Sequence, residues 1–169
     1  MQIAKSEVLI RRAVPGEAAV LSNIARASKS YWGYSSQQIE LWRDDLSFTV
    51  RSIEAHATFV AEVDDVQVGV VQINTTTEPW DLEALWVHPD SIGRGIGKAL
   101  LGKALTMARG AGQGALSIDP DPYAEAFYLA FGAVRVGERP APIAGEADRV
   151  RPKLWLSING NKMLPLCRF

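Results

Sequence analysis

The 169-residue sequence predicts an α/β fold with a single mixed sheet of about seven strands flanked by about four helices. Apolar residues repeat every second position in some segments and every third or fourth position in others, which is typical of strands and helices respectively. The two kinds of segment follow one another in the order β-α-α-β-β-β-α-β-α-β-β. Because no repeat or linker interrupts this order, residues 1–169 are predicted to be a single domain.

The N-terminal half supplies the first strand, two helices and a hairpin. A strand is predicted over residues 7–13, and a helix is predicted from Pro15, a residue suited to a first helical turn, to about residue 28. A shorter helix is predicted over residues 39–46. Alternating apolar residues on both sides of Asp64-Asp65 predict a β-hairpin.

The C-terminal half alternates between strands and helices. Trp80–Val87 predicts a strand that leads through a glycine-rich turn into a long amphipathic helix. The later elements are a strand at residues 115–118, a helix at 123–131 capped by Gly132, a strand at 133–137, a loop at 138–152 and a strand at 153–158.

Composition narrows the class of protein. Eighteen Lys and Arg against 19 Asp and Glu give a formal net charge of -1, which argues against nucleic-acid binding and a polybasic membrane anchor. The one cysteine, Cys167, allows no intrachain disulfide, and no Cys/His cluster has metal-ligand spacing. The sequence lacks a signal-peptide apolar region and any apolar run of about 18 residues. A cytoplasmic, metal-free protein is therefore expected.

The turn after Val87 has the composition of an anion-binding loop. Glycines at positions 93, 95 and 97 let backbone N–H groups approach an anion, and the following helix N-terminus adds partial positive charge. Arg94 and Lys98 add two cations. The arrangement suits a pyrophosphate.

Two nucleotide-binding motifs fail on spacing. A P-loop requires glycine and Ser/Thr where Ile92 and Ala99 stand, and a dinucleotide-binding loop requires a third glycine where Lys98 stands. A tight strand-to-helix turn without a ligand remains an alternative for the loop taken alone.

Two segments resemble motifs of the GNAT superfamily of acyl-CoA-dependent N-acetyltransferases. Leu85-Trp86-Val87 followed by Gly95-Ile96-Gly97 is similar to the signature strand and turn, although Ile92 stands where Gln or Arg is usual. The segment 121–133 is similar to a later motif, with Asp121 in place of Asn and Ala133 in place of Phe. The resemblance extends over nearly the whole chain and implies a GNAT-like fold.

The resemblance also implies acetyl-CoA as co-substrate and direct transfer of its acetyl group to a primary amine. The backbone near Val87 would stabilise the oxyanion. The residues implied in cofactor binding are Leu85, Trp86, Val87, Gly93, Arg94, Gly95, Ile96, Gly97, Lys98, Asp121 and Phe127.

Three residues are candidates for proton transfer. Tyr128 is the expected acid for the departing thiolate, with a core aromatic residue as the alternative reading. Asp81 and Glu83 lie two residues apart on one strand and therefore share a face, and either is a candidate base. The alternative for both carboxylates is a solvated strand end.

The acceptor amine is expected to be a small molecule or a peptide. Residues that the resemblance brings to its pocket are Trp32, Tyr34, Trp42, Arg149 and Arg151. A homodimer agrees with base rates, although no residue pattern indicates an interface. The alternative function is a CoA-binding regulatory or scaffold domain, which the departures at Ile92, Asp121 and Ala133 favour.

Overall fold

The computed structural model describes residues 7–159. Seven strands in this part of the chain form one sheet, as the sequence predicts. Their order in the sheet is β1-β2-β3-β4-β5-β7-β6. The strands are β1 (Val8–Arg12), β2 (Ala57–Val63), β3 (Val66–Asn74), β4 (Trp80–Val87), β5 (Ala115–Ile118), β6 (Val134–Pro140) and β7 (Val150–Ser157).

The α-helices in residues 7–159 number five, one more than the sequence predicts. They are α1 (Ala18–Ser30), α2 (Ser36–Leu41), α3 (Val50–Ala55), α4 (Ile96–Gly110) and α5 (Glu125–Ala130). The unpredicted helix is α3, which Thr49 and Ser52 begin with reciprocal side-chain and backbone hydrogen bonds. Ile53 is its buried residue, and a single apolar anchor produces no periodic pattern.

The described chain forms two compact units. The first comprises residues 7–75 and 82–104, and the second comprises residues 76–81 and 105–159. Strand β4 and helix α4 each contribute residues to both units. The assignment of residues 1–169 to one domain stays a prediction.

In the first unit, β1, β2 and β3 pair antiparallel, and the predicted hairpin is confirmed. Its turn residues Asp64 and Asp65 have φ angles of 50° and 62°. Two left-handed residues in succession match the right-handed twist of the strands they join. A core from α1, α2, α3, β2 and β3 covers this part of the sheet, with Leu21, Ala25 and Val60 fully buried.

Gly69 on β3 allows the start of α4 to approach the sheet closely. A Cβ atom at this position would lie 2.9 Å from Leu100 Cδ1, 3.1 Å from Ile96 Cγ2 and 3.1 Å from the Trp86 carbonyl oxygen. Glycine here therefore positions the first turn of α4 against β3 and β4 within the first unit.

In the second unit, β5 pairs with β7 and β7 pairs with β6, all antiparallel. The predicted loop over residues 138–152 is wrong at both ends, because β6 continues to Pro140 and β7 starts at Val150. β5 pairs with Leu154–Ser157 of β7, whereas Pro152 pairs with Glu138 of β6. Proline lacks a backbone N–H and is tolerated in a strand where one side needs no donor.

No helix within residues 7–159 is long and apolar enough to cross a membrane.

Candidate active site

The glycine-rich turn has the backbone that anion binding requires. Gly93 and Gly95 have φ angles of 79° and 80°, a region that residues with a Cβ rarely enter. Helix α4 then begins at Ile96, and helix geometry leaves the N–H groups of its first turn without partners inside the helix. Such N–H groups, together with the helix dipole, favour an anion at a helix N-terminus.

The cations of this turn are available to a ligand. Arg94 and Lys98 are both exposed, and neither forms an ion pair with another residue in the described part of the chain. Ile92 is 40 % exposed and adds no charge. Backbone N–H groups and two exposed cations therefore give this turn a chemistry suited to an anion. Leu85, Trp86 and Val87 lie half-buried on β4, immediately before the turn.

Tyr128 lies in the second unit, on α5, and is 4 % exposed. Burial raises the pKa of its phenol above the ordinary value of 10.0, so the hydroxyl keeps its proton at neutral pH. The ring of Phe127 meets the Tyr128 ring edge to face, with centroids 5.0 Å apart. Gly132, with φ of 92°, ends this helical segment as predicted.

Asp121 is buried and engaged by its own unit. Its Oδ1 accepts a hydrogen bond of 2.9 Å from the Tyr123 backbone N–H, which caps the turn before α5. Its Oδ2 lies 3.6 Å from Nη2 of Arg149, and both side chains are less than 7 % exposed. The Asp121 carboxylate therefore forms a buried ion pair.

The two arginines predicted for the acceptor pocket bind the protein's own groups. Arg149 also donates to the Ala141 carbonyl oxygen at 2.9 Å. Arg151 donates to the carbonyl oxygens of Asp119 and Pro120, and burial followed by the nearby charge of Arg139 lowers its pKa. The Arg151 bonds join β7 to the segment after β5. They do not show an acceptor carboxylate site.

A cavity of about 220 Å³ opens in the first unit beside β4. Two carboxylates and one imidazole are the ionisable groups in its wall, which contains no lysine or arginine. Its lining residues are Asp45, Ser47, Phe48, Ser52, His56, Gln72, Glu83, Ala84 and Trp86.

Of the two candidate bases, Glu83 lines this cavity and Asp81 does not. Glu83 Oε1 accepts a hydrogen bond of 2.8 Å from Asn74 Nδ2. Its Oε2 is 3.9 Å from His56 Nε2, which is longer than a hydrogen bond. Asn74 therefore orients the carboxylate, and Oε2 remains able to receive a proton.

His56 is a site residue that the sequence did not predict. It follows α3 in extended backbone, and its side chain is 21 % exposed. Within residues 7–159, its Nδ1 is buried without a hydrogen-bond partner. Its residue type was the only indication in the sequence, because Glu83 lies far from it along the chain and only the folded structure brings His56 Nε2 within 3.9 Å of Glu83 Oε2.

The aromatic residues predicted to receive a cationic acceptor surround a lysine of the chain itself. Lys29 Nζ lies 4.4 Å from the Trp42 ring centroid, 5.0 Å from that of Tyr34 and 6.0 Å from that of Trp86. Lys29 is 7 % exposed, and such a desolvated cation is stabilised by aromatic faces. Trp32 instead packs edge to face on Tyr31, with centroids 5.2 Å apart.

A sequence model of the acetyltransferase (GNAT) family matches residues 21–133. The chain belongs to the GNAT family. The matched residues include those that line the cavity, the glycine-rich turn and Tyr128. The resemblance inferred from the two motifs is thereby confirmed.

Solved structures agree with this assignment. The chain is similar to a GCN5-related N-acetyltransferase from Rhodopseudomonas palustris, with 26% identity, a TM-score of 0.76 and coverage of 93% of this chain and 99% of that one. The PaiA N-acetyltransferase from Thermoplasma acidophilum, solved with coenzyme A, shares 18% identity with a TM-score of 0.67 over 89% of this chain and 99% of that one. The acetyltransferase YncA from Salmonella typhimurium, solved with acetyl-CoA, shares 16% identity with a TM-score of 0.66 over 96% of this chain and 100% of that one. At these lower identities the likeness shows the fold.

Proposed function

We propose that the protein transfers an acetyl group from acetyl-CoA to a primary amine by direct attack. The proposal rests on one observation in a chain of the GNAT family. Glu83, on the strand that leads to the glycine-rich turn, lines a cavity, and a hydrogen bond from Asn74 orients its carboxylate. The turn from Gly93 to Lys98 would hold the pyrophosphate of the cofactor. Asp121 would stabilise the start of α5 and pair with Arg149, and it would not contact the cofactor.

The acceptor must lose a proton before it attacks. A free alkylamine has a pKa of about 10.4 and is mostly protonated at neutral pH. We assign the base role to Glu83, acting directly or through water, since it lines the cavity and Asp81 does not. His56 Nε2 lies 3.9 Å from Glu83 Oε2, too far for a direct hydrogen bond.

The bond changes are those of acyl transfer. The amine nitrogen bonds to the thioester carbonyl carbon, the oxyanion receives backbone hydrogen bonds near Val87, and the C–S bond then breaks. The thiolate leaves as CoA and takes up a proton. Because burial raises the pKa of Tyr128, we expect its hydroxyl to stabilise the thiolate mainly by donating a hydrogen bond.

The test is CoA thiol release from acetyl-CoA, measured with and without a panel of amines. Glu83→Gln should lower kcat/KM by about 10²–10⁴-fold, as for loss of a general base. Asp81→Asn is the matched control and should retain most of the activity. The reverse order of effects would move the base to Asp81.

Binding must be measured separately from transfer. Acetyl-CoA at 100 times its Kd should stabilise the fold by about 2.7 kcal/mol in thermal unfolding, with NADH and ATP as controls. Stabilisation without amine-dependent thiol release would favour a regulatory CoA-binding domain. No stabilisation would contradict the cofactor assignment itself.

A further inference from the structure

We infer that the acceptor is a small aliphatic diamine, whose second ammonium pairs with Asp45 while its first amine is acetylated next to Glu83. This inference rests on the proposed function and specifies the substrate class of the same cavity. It is carried by the volume of the cavity and the charges of its wall.

The volume of the cavity, about 220 Å³, limits the size of the acceptor. Drug-sized ligands occupy pockets of about 300–1,000 Å³. A cavity below this range favours a short, unbranched acceptor over a drug-sized one.

The charges set the chemistry of the acceptor. Asp45 and Glu83 are acidic, and the cavity wall contains no lysine or arginine to balance them. Within residues 7–159, the exposed Asp45 carboxylate forms neither a hydrogen bond nor an ion pair. A ligand with one amine and one carboxylate would bring its carboxylate toward these anions, and like charges repel. A ligand with two amines gives each carboxylate a cation.

The hydrogen-bonding groups favour the same ligand. Gln72 uses its amide nitrogen for the Thr58 hydroxyl at 3.0 Å and the Ser52 carbonyl at 3.3 Å, which leaves its amide oxygen as an acceptor. An ammonium group has three donors and no acceptor. Apolar Phe48, Ala84 and Trp86 complete the wall and suit the methylene chain between two amines.

The predicted reaction stops after one acetylation of each bound molecule. The amine near Glu83 loses a proton and becomes an amide, CoA leaves as the thiol, and the distant amine stays an ammonium paired with Asp45. The monoacetylated product has lost one of its two cations. It should therefore leave the cavity more readily than the diamine.

The experiment compares 1,4-diaminobutane with 1-aminobutane, which differ by one terminal ammonium. The wild-type kcat/KM should be roughly fivefold or more higher for the diamine, the factor that one partly exposed ion pair of about 1 kcal/mol supplies. Asp45→Asn should bring the ratio of the two kcat/KM values close to one. Asp44→Asn, a change at the exposed neighbour outside the cavity wall, should keep the wild-type ratio.

Failure of the inference is distinguishable from failure of the proposed function. Equal kcat/KM for the two amines, or a ratio that Asp45→Asn leaves unchanged, overturns the diamine inference while amine acetylation stands. If neither amine releases CoA thiol, calorimetric titration with 1,4-diaminobutane decides. Binding that Asp45→Asn weakens supports the pairing of an ammonium with Asp45 and places the failure in the transfer step, whereas absence of binding overturns the inference. Thermal unfolding of each variant verifies that it is folded.

Discussion

Gly69→Ala tests whether close approach of α4 to the sheet determines both stability and cofactor binding. The added Cβ would lie 2.9 Å from Leu100 Cδ1, and Leu100 is fully buried, so its side chain has no open space into which to turn. The 3.1 Å separation from the Trp86 carbonyl oxygen involves backbone, which moves only with the strand. The substitution should therefore push α4 away from β3 and disturb β4.

The magnitude follows from two opposing terms. Overpacking a closely packed site costs about 1–3 kcal/mol. Replacing glycine by alanine restricts the unfolded chain and returns about 0.4–1 kcal/mol. The free energy of unfolding should therefore fall by about 1–2 kcal/mol, which lowers Tm by roughly 2–8 °C in a protein of this size. The Kd for acetyl-CoA should rise because the first turn of α4 is displaced.

The assay is urea unfolding together with titration of acetyl-CoA. Gly102→Ala is the matched control, because Gly102 is exposed within the same helix and a Cβ there meets no atom within 4 Å. This variant should gain about 0.5–1 kcal/mol and bind acetyl-CoA normally. Equal stability of Gly69→Ala and Gly102→Ala would refute the reasoning.

Two further predictions concern ion pairs, one in each unit. Hydrogen bonds from Arg11, then those from the Val14 backbone and from Gln67, lower the pKa of Glu17 against the opposing effect of burial. The Glu17 carboxylate therefore contributes its full stabilisation above its unfolded pKa near 4.5, and this contribution is lost as pH falls through the lower folded pKa. In urea unfolding, Glu17→Gln should lower the free energy of unfolding by about 1–3 kcal/mol at pH 7 and by less at pH 3. An equal loss at both pH values would contradict this linkage. Arg149→Ala removes the guanidinium that pairs with the buried Asp121 carboxylate. It should lower the free energy of unfolding by about 3–5 kcal/mol in the same assay. A loss below about 1 kcal/mol would show that the pair contributes little.

Local patterns made the element order predictable from sequence. The bounds of β4 and β5 are those predicted, because each strand has apolar residues bounded by clear turn residues. The predicted loop at residues 138–152 was too long because proline and charge normally indicate a loop. Only pairing to a single neighbour makes Pro152 acceptable within β7, and pairing partners are not visible in a local pattern.

The site was less predictable than the fold. Glycine is the residue type that most readily adopts a positive φ angle, so the turn could be predicted from its glycines. Gly93 and Gly95 both adopt this conformation. The acceptor cavity depends on contacts between residues far apart in sequence, such as His56 with Glu83. For the same reason Lys29 went unrecognised as the cation that Tyr34 and Trp42 surround.

The two strands at the ends of the sheet order bear on aggregation. β1 ends in Arg11-Arg12, and β6 is largely exposed, carries Arg135 and Arg139, shifts register after Arg135 and ends at Pro140. Charge, an irregular register and proline all hinder an incoming strand from another molecule. Growth of the sheet from copy to copy is thus disfavoured at both ends, and concentrated solutions of the protein should resist fibril formation.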